Sequence, residues 1–257
     1  MNTKTKKIFS RVLTVLGVTA FWIAVWFLLS WSVNSKFLLP SPSDTIIALG
    51  GLVSDGEFFV IAAITLGRIV LGVLISLLVG IALAVLTECS RIAKALLSPA
   101  LTVVKSTPVA SFIILALLWF DRNLLPLFIT SLIVVPIVWS NVCEGIRSVD
   151  RGLLEMAKVY RFSKLKKITA LYIPSVAPYF LAACKSTLGL AWKAGISAEI
   201  LCTPSRAIGT ELYFSKTYLE TPELFAWSFV IIVLSIVIEK LFVLALSRLG
   251  SKLRVLR

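Results

Sequence analysis

The 257 residues carry 58% hydrophobic against 15% charged side chains, a balance that excludes an ordinary soluble domain and places the chain in a membrane. A net charge of +13 could suggest nucleic acid, but no basic soluble face interleaved with stacking aromatics is present, so no nucleic-acid partner is expected and the charge is assigned to topology. With no histidine and four widely spaced cysteines, Cys89, Cys143, Cys184 and Cys202, no metal or redox site is expected, and the cysteines count as small apolar residues.

Lys4, Lys6, Lys7 and Arg11 lead into an uncharged run from Val12 to Ser35. As a helix it would be about 36 Å long, enough to cross a hydrocarbon core of about 30 Å. Its bulky end, Trp26, Phe27 and Trp31, lacks the small-residue cleavage site of a signal peptide, so an uncleaved anchor is expected. Phe37 to Phe59 is too polar and too broken by Pro40 and Pro42 to cross. Ser43 or Asp44 is expected to cap a short helix there, lying along the outer surface and carrying Ile46, Ile47 and Leu49.

Val60 to Thr87 forms the second span, with Gly67, Gly72 and Gly80 offering close helix approach. Arg68, in its outer third, reads as a snorkelling cation in preference to a substrate contact. An inner-face turn at Leu96-Leu97-Ser98-Pro99 precedes a marginally long third span, Thr107 to Phe120, bounded by Pro108 and by Asp121-Arg122. The fourth span, Asn123 to Cys143, contains Pro136, whose freed carbonyl must be re-satisfied on a packed or pathway-lining face.

Residues 147–173 carry Arg147, Arg151, Lys158, Arg161, Lys164, Lys166 and Lys167 against Asp150, Glu155 and no other carboxylate, the signature of a cytoplasmic loop. At about 100° per residue Leu153, Ala157 and Tyr160 share one side of a short helix with Leu154 at its edge, and Glu155, Lys158 and Phe162 share the other. Phe162 on a charged face is either a chance exposed residue or a knob for a partner protein. Span five, Pro174 to about Leu201, holds Lys185, Lys193 and Glu199, which should face a bundle interior or a water-filled path. Lys185 and Lys193 fall about 80° and about 12 Å apart, on adjoining strips of one face, whereas Glu199 points away from Lys193. A polar outer loop, Cys202 to Pro222, leads to span six, Glu223 to Leu246. With both termini cytoplasmic, the inner segments hold nineteen Lys and Arg and the outer segments four.

Glu155-Met156-Ala157, the break at Arg161-Phe162 and the pair Ile173-Pro174 resemble the EAA loop of ABC-importer permeases. Arg161 stands where that family has glycine, so the turn must avoid positive φ or accept roughly 1 kcal/mol of strain. Other stretches resemble the family too: Thr65 to Gly72, Pro108 to Phe120, Gly189-Leu190-Ala191-Trp192 and Ala198-Glu199. The Leu39-Pro40-Ser41-Pro42 start resembles the taurine, sulfonate and nitrate branch. The resemblance implies an all-α integral membrane protein of the type I ABC importer permease fold, with about six transmembrane helices. It would have an anchor and outer segment (1–58), a core (59–247) with a coupling loop (147–173), and a basic tail (248–257).

It further implies a cell-membrane permease subunit with an ATPase dimer inside, a substrate-binding protein outside, a second permease copy beside it and lipid around it. No Gly-Lys dipeptide occurs, so no phosphate loop is present; ATP would be bound by the partner subunit, and no cofactor or catalysis is expected of this chain. Glu155, Met156, Ala157, Tyr160, Arg161, Phe162 and Pro174 would form the coupling loop. Pro136, Lys185, Trp192, Lys193 and Glu199 are the candidate translocation path, toward a small organic or inorganic anion or, elsewhere in the family, a vitamin precursor. An ion-coupled secondary transporter would need more intramembrane carboxylates than Glu199 alone, and a membrane enzyme would need clustered catalytic groups that the spans lack.

Overall fold

Where there is no water to bond with, every backbone N–H and C=O must find its partner within the chain, and long apolar runs do so as helices. The computed structural model describes residues 3–254, and no strand occurs among the described residues. In chain order the helices are α1 (Thr3–Val33), α2 (Pro42–Ser54), α3 (Gly56–Cys89), α4 (Arg91–Ser106), α5 (Val109–Ala116), α6 (Leu125–Arg147), α7 (Arg151–Val159), α8 (Lys164–Lys167), α9 (Ile173–Cys202), α10 (Ile208–Thr217) and α11 (Thr221–Arg254). A π-helical turn, Ile168–Tyr172, joins α8 to α9. Helix α11 continues through the first residues of the expected tail, and residues 255–257 of that tail lie outside the described residues. Five of the described helices, α1, α3, α6, α9 and α11, are apolar and long enough to cross a membrane, or six crossings if α4 and α5 count as one broken span.

The described chain divides into two compact units. One comprises the chain up to Val60 together with Glu211–Ile231. Its α2 begins with a capping box: the Ser41 hydroxyl accepts from Asp44 N at 3.1 Å, and Ser41 N donates to Asp44 Oδ2 at 3.3 Å. The cap is therefore Ser41, with Asp44 as its reciprocal partner, rather than Ser43 or Asp44 as expected. Pro42 supplies a first-turn φ and needs no N–H partner, which fixes the start earlier than expected. The chain before it is tied down through its carbonyls, Trp26 Nε1 donating to Pro40 O at 3.0 Å, Ser30 Oγ to Leu39 O at 2.9 Å and Thr221 Oγ1 to Phe37 O at 2.8 Å.

The other unit comprises Ile61–Thr210 and the chain from Ile232 onward. Here α3 and α6 approach closely, because a Cβ at Gly80 would lie 2.7 Å from Val138 Cβ and one at Gly72 3.0 Å from Thr130 Cβ, and α9 meets α3 where a Cβ at Gly195 would lie 2.6 Å from Ile69 Cγ1. Gly67, expected to serve the same end, has nothing within 4 Å of where its Cβ would be. Pro136 is buried within α6. At one end the Arg147 guanidinium donates to Glu88 Oε1 from Nε at 3.0 Å, while Lys94 lies 3.6 Å from the same oxygen.

The third expected span is the element that differs most. The Leu96 to Pro99 stretch lies inside α4 instead of forming a turn, and α5 has only eight residues and leaves α4 at 107°. Pro108 is the cause: it lacks an N–H and forces Thr107 into extended backbone, φ −86° and ψ 135°, where the helix must stop. Ile113 and Ala116 of α5 still pack into a core with Leu125, Ile129, Ala198 and Cys202.

Candidate functional site

The basic loop is built on α7. Asp150 caps it, accepting from Leu153 N at 3.1 Å, which satisfies one of the orphan donors of the first turn. Helix α7 ends in a Schellman motif, with Phe162 N donating to Ala157 O at 2.9 Å and Arg161 N to Lys158 O at 3.1 Å. Arg161 takes the left-handed position itself, at φ 48°, so the turn accepts the strain that a glycine would avoid. Ala157 is fully buried, in a cluster with Val149 and Leu171 against which Leu154, Phe162 and Tyr172 pack.

That cluster redraws the faces of α7. The inward side is Leu154 and Ala157, whereas Leu153 and Tyr160 are exposed, because the helix meets the π-helical turn one strip further round than the periodicity suggests. Phe162 turns back onto Ala157 as the apolar contact of its turn, with Lys166 Nζ 4.3 Å above its ring. Glu155, Met156 and Arg161 are exposed, and Pro174 sits half-buried in the first turn of α9. Val159, 79% exposed, and Leu165, 76% exposed, join Tyr160 and Met156 in an apolar surface set among cations. The only sign of Val159 and Leu165 in the sequence is their apolar character inside a run of lysines and arginines.

The five residues taken as a path fall into two environments. Pro136, Trp192 and Glu199 are buried, while Lys185 and Lys193 are exposed, beside Ala182 and Ser186 on the uncovered face of α9. Neither lysine has an ion pair among the described residues. Glu199 is fully buried and closes a separate cluster: its Oε2 accepts from Thr65 Oγ1 and from Gly209 N, both at 3.1 Å, and its Oε1 lies 3.6 Å from Arg68 Nη1. Arg68 also donates to Ser205 O at 3.0 Å, and Thr65 Oγ1 accepts from Ile208 N at 3.0 Å. Arg68 is thus neither a snorkelling cation nor free for substrate.

This cluster clasps the end of α9, the turn 203–207 and the start of α10 to α3. The turn holds two non-glycine residues at positive φ, Thr203 at 45° and Arg206 at 49°, and Asn123 Oδ1 accepts from Ser205 N at 3.0 Å to steady it. A Cβ at Gly209 would lie 2.7 Å from Ile200 N, so no larger residue could bring that N–H to the carboxylate. A buried carboxylate with three partners is held by geometry, since leaving it unpaired would cost several kcal/mol, of the order of 3–5.

Residues 72–255 match the family described as binding-protein-dependent transport system inner membrane component. The chain is similar to the putative aliphatic sulfonates transport permease protein of Escherichia coli (strain K12), with 30% identity over 77% of this chain and 76% of the relative. It is also similar to the bicarbonate transport system permease protein of Synechococcus elongatus, with 30% identity over 62% of this chain and 57% of the relative. In fold it is similar to a chain from a bacterial alginate ABC transporter, solved in complex with an alginate pentasaccharide-bound periplasmic protein. That likeness has a TM-score of 0.60 at 15% identity, over 97% of this chain and 96% of the other.

Proposed function

The chain belongs to the family of binding-protein-dependent transport system inner membrane components, and from that premise we propose that it carries a small oxyanion across the cell membrane as one of two identical copies, with both termini in the cytoplasm. It is a permease subunit of an ABC importer and not an enzyme; such permeases work with a periplasmic binding protein and with a separate ATPase that hydrolyses the ATP.

The observation that carries the choice of cargo is the pair of exposed lysines on α9. Lys185 and Lys193 stand on an exposed face of α9 among the described residues, which suits a water-filled path completed by the second copy. Each cation in such a path attracts an anion by on the order of 1 kcal/mol, enough to select charge and weak enough to release the cargo. The sulfonate and bicarbonate relatives name anions of this size, which supports the same reading.

In the transport cycle the ATPase pair closes on ATP and moves the coupling loop. Glu155, Met156, Tyr160 and Arg161 lie on its outward surface, while Ala157 and Phe162 make α7 rigid enough to act as a lever through Pro174 on α9. Core residues 59–247 would move, with 1–58 as anchor and outer segment. The test is Lys193→Met in the reconstituted importer, assayed with an alkanesulfonate, bicarbonate and nitrate. Uptake of the transported anion is expected to fall about fivefold, the equivalent of about 1 kcal/mol, with the ATPase still bound. Uptake at the parent rate across the whole concentration range would take Lys193 out of the path and leave it a surface charge.

A further inference from the structure

Three crossing helices and the π-helical turn line an open cavity of about 630 Å³, away from Lys185 and Lys193. Its walls are apolar, with Ile81 and Val85 from α3, Val142 from α6, and Val176, Ala177 and Phe180 from α9. Water would find too few partners to fill it. Glu88 is the single charged residue in its lining, and Cys89 lies beside it. That carboxylate is held by two cations, Arg147 and Lys94, whose side chains stay about half exposed at the rim.

We propose that this cavity seats an acyl chain of an anionic phospholipid whose phosphate lies against Arg147 and Lys94. The walls belong to helices that cross the bilayer, so the medium outside them is hydrocarbon, and a volume of this size fits a bound small molecule or chain segment. The exposed guanidinium and ammonium donors at the rim suit an anionic headgroup, as basic groups at the ends of membrane helices do. Ile168 and Tyr172 of the π-helical turn line the same cavity, so the lipid would rest against the joint between the coupling loop and α9. The inference depends on the helices crossing a membrane and not on which cargo is carried.

The test uses the full-length permease in nanodiscs of phosphatidylglycerol or of phosphatidylcholine. Of the four cysteines Cys89 alone is exposed, so its rate of maleimide labelling reports the mouth of the cavity, and native mass spectrometry counts retained lipid. Phosphatidylglycerol is expected to slow labelling relative to phosphatidylcholine. Arg147→Gln should abolish the difference, and Glu88→Gln, which removes the competing carboxylate, should widen it about fivefold, the scale of one charge near an anionic surface. Ala177→Phe, which fills the cavity, should remove both the protection and the retained phosphatidylglycerol. Equal rates in the two lipids, or a difference that survives Ala177→Phe, would overturn the proposal and leave the cavity to a protein segment or a surface-potential effect. If Arg147→Gln does not fold, Glu88→Gln still decides, because its predicted change has the opposite sign and a narrowing would overturn the proposal equally.

Discussion

Arg161 occupies the one position of its turn where a side chain costs about 1–2 kcal/mol in left-handed backbone. Arg161→Gly is therefore expected to stabilise the chain by up to about 1 kcal/mol, and Arg161→Val to destabilise it, in thermal unfolding of the purified permease. A glycine variant no more stable than the parent would mean that the turn is not strained. Glu199 makes the opposite case. Removing it alone leaves Arg68 without its counter-charge and the Gly209 N–H without its acceptor, so Glu199→Ala should cost about 3–5 kcal/mol, whereas Glu199→Leu combined with Arg68→Met should recover most of that. An additive double variant would show that the two do not act as a pair. That Arg161 stands in place of a glycine was legible only through the resemblance to the EAA loop. The pairing of Arg68 with Glu199 was not, because helical periodicity assigns faces on one helix and says nothing about which residue of another helix will meet them.

Within the loop proposed to couple to the ATPase, α7 and its turn separate into an inner and an outer surface that fail in different ways. Phe162→Ala removes a half-buried contact and should loosen α7 by about 2 kcal/mol, lowering the solute moved per ATP hydrolysed, while Phe162→Leu keeps the contact and the coupling. Equal coupling in all three proteins would deny the loop its role as a lever. Val159→Ser and Leu165→Ser, on the exposed side, should leave unfolding unchanged and weaken co-purification of the ATPase; unaltered co-purification would move the contact elsewhere. In α2 the Ser41 hydroxyl, and after it Lys36, hold the Asp44 carboxyl below its ordinary value of 3.8. A carboxyl lowered in the folded state stabilises above its unfolded pKa and loses that contribution as pH falls through the folded one. Amides from Thr45 to Leu49, corrected for intrinsic rates, should thus lose protection on acidification, and Asp44→Asn should lose it at neutral pH as well. Helices α3, α6 and α9 were legible as apolar runs bounded by charge. The course of α4 and α5 was not, since Leu96 to Pro99 reads as a turn although Pro99 is accommodated inside α4, and the run from Thr107 to Phe120 was taken as one span although only Val109–Ala116 of it is helical.

For the whole molecule the orientation rests on the imbalance of lysine and arginine between alternate loops. In a background lacking Cys89, a cysteine at Ser163 is expected to resist impermeant thiol reagents in intact cells and one at Ser54 to react. Labelling of Ser163→Cys from outside would reverse the topology and remove the ATPase contact with it. The short α5 carries a consequence of another kind. Eight residues rise only about 12 Å, less than half of a hydrocarbon core of about 30 Å, while α6 beside it has 23 residues. The apolar height of that sector is completed by the non-helical Leu118 and Trp119, both largely exposed, or by a local pinch of the bilayer. Transport should therefore fall as lipid tails lengthen, and the thickness of the host membrane becomes a variable of the transporter's own activity.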